Sequence, residues 1–166
     1  MKGHVLICGP AEPSQILPDV VQEMSYPTGL GGVPVNLLAR ALLDRDWKVT
    51  VVSTSKHVSD RWSHTEGNAT VVLVPFRKRP RDYSLDFYRR ERSFLTEEIR
   101  YSDADVVHAH WTYEFALAAL RSDRRTLVTA HDSPLSVLRR MPDPYRLVRT
   151  AMAIEVGRSV GRLTAV

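Results

Sequence analysis

The stretch "DVVHAHWTYEFALAAL", Asp105–Leu120, decides the reading of the chain. It opens as a short apolar run ending in two histidines and closes as an alanine- and leucine-rich segment free of proline and glycine, so a strand passes into a helix within a few residues. Alternate side chains of a strand share a face, which puts Val106, His108 and His110 on one side and Val107, Ala109 and Trp111 on the other. His110 then falls at the carboxyl end of the strand and His108 deeper inside the sheet.

The same alternation runs outward in both directions. Apolar runs at "HVLIC" (4–8), "KVTVVS" (48–53), "TVVLVP" (70–75), "TLVTAH" (126–131) and "RLTAV" (162–166) are continuous rather than alternating, as strands covered on both faces of a parallel sheet are. Helical periodicity fills the intervals. Val35, Leu38, Ala41 and Leu42 make one apolar face in "VPVNLLARALLDR". Leu85, Tyr88, Phe94 or Leu95, and Ile99 make another in "SLDFYRRERSFLTEEIR", and "EFALAALRS" and "DPYRLVRTAMAIEVGRS" continue the series. Strand and helix in turn imply right-handed crossovers and a Rossmann-like α/β fold, a doubly wound and mainly parallel sheet with helices on both faces. The 166 residues suit one domain.

Composition excludes several classes. A single cysteine, Cys8, rules out an internal disulfide framework and a thiolate metal cage, and makes a reducing, cytoplasmic setting the expectation. No apolar run reaches the ~20 residues that span a bilayer, and the N-terminus lacks the pattern of a signal peptide. A net charge of +4 is compatible with phosphorylated ligands or an anionic membrane surface without selecting either. No nucleic-acid module or aromatic interleaving accompanies the basic residues, so nucleic acid is not an expected partner.

Loops after the carboxyl ends of parallel strands line the ligand crevice of such a sheet, and four of them carry chemistry. In "TGLGGVPVNLL", Gly29, Gly31 and Gly32 precede a helix whose N-terminus favours an anion. The stretch fails as a dinucleotide fingerprint because Pro34 occupies the third glycine position, and it lacks the Gly-Lys-Ser/Thr of a phosphate-binding Walker loop; the plain alternative is a loop with Pro34 in the first helical turn. His110 can donate to a substrate hydroxyl or move a proton, with Trp111 and Tyr113 either lining the same crevice or packing at the strand-to-helix turn, whereas His108 reads as a hydrogen-bonded core residue. His131 and Asp132 reach the edge one strand further on, Asp132 or Ser133 also being suited to cap the helix after Pro134. In "FRKRPRD", Arg77, Lys78, Arg79 and Arg81 form either a solvated turn or a surface for an anionic acceptor or membrane. Three imidazoles and a carboxylate also make a conceivable metal set, as in amidohydrolase barrels, but that barrel needs ~250 residues.

Taken in order, "GLGGVPVNLLARALLDRDWKVTVVSTS", "DADVVHAHWTYEFALAAL", "RTLVTAHDSP" and "GRSVGRLTAV" resemble the N-terminal domain of family 4, or group 1, glycosyltransferases of the GT-B fold. The resemblance implies that residues 1–166 form the acceptor-side half of a retaining, nucleotide-sugar-dependent hexosyltransferase. A C-terminal domain would bind the donor, no metal or other cofactor would be needed, and the isolated half would be inactive. It also implies that Gly31 and Gly32 approach the donor diphosphate, that His110 contacts the donor sugar near the reacting centre, and that Trp111, His131 and Asp132 border the cleft. The paired glutamates seven residues apart that mark the family's second domain are missing, the first loop is long, and "DRDWKV" (44–49) replaces a glycine-containing turn. The last strand stops without a covering element, so the polypeptide is expected to continue beyond Val166. A noncatalytic module for a phosphorylated or nucleotide ligand is the alternative function.

Overall fold

A computed structural model of the chain describes residues 2–17, 26–160 and, as backbone, 163–165. The elements run β1 (His4–Cys8), α1 (Pro13–Ile16), α2 (Val33–Leu43), β2 (Lys48–Ser55), β3 (Trp62–Glu66), β4 (Ala69–Pro75), α3 (Pro80–Ser84) and α4 (Arg89–Arg100). They continue with β5 (Val106–His110), α5 (Glu114–Leu120), β6 (Thr126–Ala130), α6 (Pro134–Arg140), α7 (Pro144–Ser159) and β7 (Leu163–Ala165). Seven strands join in the order β3-β4-β2-β1-β5-β6-β7. All neighbours are parallel except β3, which pairs antiparallel with β4. From β1 the chain builds outward to β2 and β4, then returns to the other side of β1 with β5. The direction of winding therefore reverses between β1 and β5, where an open α/β sheet leaves its crevice.

The two faces of the sheet carry separate cores. Val5, Ile7, Val49, Val51, Val71 and Leu73 pack with α1 and with Val35 and Ala39 of α2. On the other face Leu6, Cys8, Val52, Val107, Ala109 and Val128 meet Leu95 and Ile99 of α4, the buried side of α5, and Met152 and Val156 of α7. The alternation expected for β5 holds in these contacts, with Val106 against the first core and Val107 and Ala109 in the second.

The structure corrects the sequence reading in four places. Strand β3 is absent from that reading because Trp62–Glu66 is a half-exposed edge strand of mixed polarity, turned back on β4 at Gly67 and Asn68. The helix expected from Ser84 is broken, since Phe87 and Tyr88 adopt left-handed φ values of 53° and 58°. Leu85, assigned to its apolar face, is 75% exposed, whereas Tyr88 is buried with its amide on the Tyr83 carbonyl at 2.7 Å. Asp46, in the turn that lacks glycine, takes φ 61° in glycine's place, a role that Asp tolerates better than most residues. The long first loop contains the short helix α1, and its residues 18–25 lie outside the described residues.

Candidate functional site

The carboxyl margin of the sheet is assembled from the turns after β1, β2, β4, β5 and β6. Gly9 and Pro10, just after β1, link its two halves. A Cβ on Gly9 would stand 3.0 Å from both the His110 Cβ and Val35 Cγ2, so β5 and α2 close directly over this residue. A Cβ on Gly32 would stand 1.9 Å from the Pro10 carbonyl oxygen, and with φ at 102° the position admits only glycine without displacement. Gly32 and His110 thus lie at the same end of the sheet, on either side of the Gly9–Pro10 turn.

The glycine loop is held from below. Leu30 N–H donates to the Ala11 carbonyl, Gly29 N–H donates to Glu12 Oε2 at 3.0 Å, and Asn36 of α2 accepts from Glu12 N–H and donates to Gln15. Gly31, at φ 76°, has open space around it, and among the described residues no acceptor meets the amides of Gly31 and Gly32. They sit at the N-terminus of α2, an 11-residue helix with Pro34 in its first turn. Such a terminus carries a partial positive charge, which favours an anion near these donors.

His110 closes β5 and is 3% exposed. Its Nδ1 shares a 2.7 Å hydrogen bond with Nε2 of His131, and the two rings stack at 5.0 Å. Burial, reinforced by His108 and His131, pushes His110 down to about 3, so its ring is neutral at pH 7. Whichever ring donates in the shared bond, Nε2 of His110 keeps one capacity, to donate or to accept, and no described residue uses it. His108 differs because its Nε2 is bonded to Thr129 Oγ1 at 2.8 Å, as a core histidine requires. Among the described residues no three His, Cys, Asp or Glu side chains converge as a metal set would.

Beyond His110 the backbone turns sharply. Trp111 has φ 69°, an uncommon conformation for a large side chain, and it carries its indole to 5.3 Å from the His131 ring. Tyr113 donates its hydroxyl to both oxygens of Asp132, at 2.9 and 2.8 Å, while the Arg149 guanidinium of α7 lies 3.6 Å over its ring. Asp132 therefore ties β6 to α5 and does not cap α6, whose N-cap Ser133 makes no capping bond.

A cavity of about 310 Å³ opens at this margin, lined among others by Leu30, Lys56, Phe76, Trp111, Glu114 and Arg149. Sequence reasoning missed Glu114 and Arg149. Glu114 passes for an ordinary acid in the first turn of a helix, and Arg149 lies in the middle of another. In the fold Glu114 is buried, its Oε2 has no partner among the described residues, and burial raises its pKa against the opposing pull of Arg149. The left-handed pair Phe87–Tyr88 serves the same cavity by turning Tyr88 under it, against Tyr83 at 4.8 Å.

The basic turn is divided. Arg77 is spent inside the protein: it donates to both oxygens of Glu91 at 2.8 and 2.6 Å and to both oxygens of Asp86 at 2.9 and 2.8 Å, with a further bond to the Asp82 carbonyl. The expectation that Arg77 offers a free charge to an anionic acceptor or membrane is corrected accordingly. Lys78, Arg79 and Arg81 are exposed. No helix among the described residues is long and apolar enough to cross a membrane.

Comparison with known proteins agrees with this architecture. The structure resembles sucrose-phosphate synthase from Thermosynechococcus elongatus, with a TM-score of 0.56 at 12% identity over 98% of this chain and 46% of that one. It also matches trehalose-6-phosphate synthase from Burkholderia multivorans, at TM-score 0.45 and 14% identity over 95% of this chain and 37% of that one. At 12% identity the likeness to the first speaks for the fold alone, and the chain spans less than half the length of either protein. No curated protein matches the sequence. The description Glycosyltransferase Family 4 matches residues 31–166, from the glycine loop to the last residue, and the chain belongs to that family.

Proposed function

We propose that this chain is the acceptor-side half of a retaining glycosyltransferase that uses a nucleotide-sugar donor, with Gly31, Gly32 and His110 facing the donor. The observation that carries the reading is the shared margin at the β1/β5 reversal, where unused amides and an unused imidazole nitrogen lie on either side of one turn. Departure of a nucleoside diphosphate leaves negative charge on the β-phosphate, and donors already fixed around that position lower the barrier without reorganising. The loop amides and the N-terminus of α2 supply this. His110, neutral and held by His131, presents a single nitrogen to a sugar hydroxyl or to the carbonyl oxygen of a companion domain. No resident cofactor enters this scheme.

The cavity beside it is the place for the acceptor. Its buried Glu114 carboxylate accepts hydrogen bonds from hydroxyl groups, and Lys56 and Arg149 supply cations, a combination suited to a polyhydroxylated acceptor that carries negative charge. A second α/β domain that binds the nucleotide-sugar completes the cleft in this reading, in a reducing, cytoplasmic setting, and the exposed cations Lys78, Arg79 and Arg81 offer a surface to an anionic membrane. Nucleotide release from a panel of nucleotide-sugars tests the whole. The expected result is release only when a donor-binding domain is supplied in trans, and its loss with His110→Ala. Release by this chain alone, undiminished in His110→Ala, would contradict it.

A further inference from the structure

A groove of about 410 Å³ lies along α4 and reaches the carboxyl end of α5, and it shares no lining residue with the cavity at the carboxyl margin. Arg89, Arg92, Arg100 and Arg121 line it, with Ser93 and Thr96 between them and Glu97 as its acid. Arg92 is the unusual member. It is 7% exposed, yet its Nε and Nη1 are buried and meet no acceptor among the described residues. Guanidinium stays charged in almost any setting, and a buried charge without a counter-charge is among the costliest features a fold can retain. Elsewhere in this molecule the rule is kept, since Arg77 is saturated by Glu91 and Asp86.

The neighbours of Arg92 do not relieve it. Glu155, on α7, is taken by Arg121 at 2.8 Å, and Arg100 donates to the Arg121 carbonyl. Thr96 donates to the Ala118 carbonyl. Burial presses the Arg92 pKa downward, with Arg121 and Arg89 adding to it and the pull of Glu155 and Asp86 opposing it only in part. Arg92 and the exposed Arg89, one helical turn before it, both line the groove together with Ser93, and guanidinium is the side chain best suited to a phosphate.

We propose that the α4/α5 groove is a second ligand site that binds a phosphate group, seated on Arg92 and flanked by Arg89 and Arg100. The phosphate is either that of a small soluble ester or the headgroup of an anionic lipid, and the chemistry of recognition is the same for both. A site there lies outside the proposed donor and acceptor cleft, so it anchors or modulates the protein rather than entering the transfer itself.

The test is titration calorimetry of this chain with inorganic pyrophosphate, alongside flotation with phosphatidylcholine vesicles with and without phosphatidic acid. Saturable pyrophosphate binding that weakens about tenfold or more in Arg92→Gln, and that falls with added salt, is the expected result. Exposed Arg89 and Arg100 give a second variant whose folding is not in question, Arg89→Gln/Arg100→Gln, which is expected to weaken binding by a similar factor. Flotation dependent on phosphatidic acid and competed by pyrophosphate assigns the headgroup, and pyrophosphate binding without flotation assigns a soluble ester. Absence of both, or binding by either arm that persists unchanged in the two variants, would overturn the proposal. If Arg92→Gln does not fold, unchanged binding in the double variant overturns it alone.

Discussion

Two corners of the carboxyl margin use polar residues in opposite ways. At the end of β4, Arg77 is closed off by Glu91, Asp86 and a carbonyl, and every part of its fork is occupied. At the end of β5, His110 is nearly as deeply buried as Glu91 but among the described residues is tied at only one of its two nitrogens. Both corners read alike in sequence, as charged or titratable residues at or just past the end of a strand. Satisfaction separates them: the first corner is structure, and the second has capacity left for a ligand.

The strongest way to break that contrast is to remove Glu91, which is 0% exposed and takes the backbone amide of Arg77 as well as its guanidinium. Glu91→Ala leaves Arg77 without its buried partner and is expected to cost about 3–5 kcal/mol in chemical denaturation. A cost below about 1 kcal/mol would show the corner to be a surface ion pair. The glycine loop gives the next effect. Gly32→Ala meets the Pro10 carbonyl and is expected to cost about 3 kcal/mol, whereas Gly31→Ala has free space and bears only the conformational strain, about 1 kcal/mol. Equal costs for the two would mean that the close approach to Pro10 is not maintained.

A pH series sharpens the other corner. His110 titrates at about 3 in the fold against an ordinary 6.5, so the unfolded chain takes up a proton first as the pH falls. The stability owed to the neutral ring is complete above pH 6.5 and is lost as the pH drops through the interval down to about 3. His110→Asn is expected to lessen the loss between about pH 6 and 4 by about 2 kcal/mol, read as the difference between two denaturation series. Parallel series would place His110 in contact with solvent. The smallest effect belongs to the paired neighbour: Thr129→Val removes the partner of His108 Nε2 and is expected to cost about 1 kcal/mol, with no change in transfer activity.

Much of this was legible in the sequence because it depends on periodicity. Continuous apolar runs set the parallel strands, and the two-residue period of β5 placed His108 and His110 on one face. What depended on a single backbone torsion was not legible. The turn at Phe87 and Tyr88 leaves the apolar spacing of α3 and α4 intact while redirecting Leu85 to solvent, and β3 lacks both a continuous apolar run and a buried face. The cavity was hidden for another reason. Glu114 and Arg149 are far apart in the chain and unremarkable in their own helices, and only the packing of α5 against α7 brings them together beside Trp111. Their signal is a burial mismatch, an acid and a base enclosed by aromatic rings, which no local pattern records.

The most direct test compares His110→Ala with His108→Ala, two histidines of one strand face, in sugar transfer with a donor-binding domain present and at temperatures where both variants are folded. The account predicts a loss of about a hundredfold or more in kcat for His110→Ala and less than about tenfold for His108→Ala. Equal losses, or a larger one at His108, would contradict the assignment of the unused imidazole nitrogen to the donor cleft.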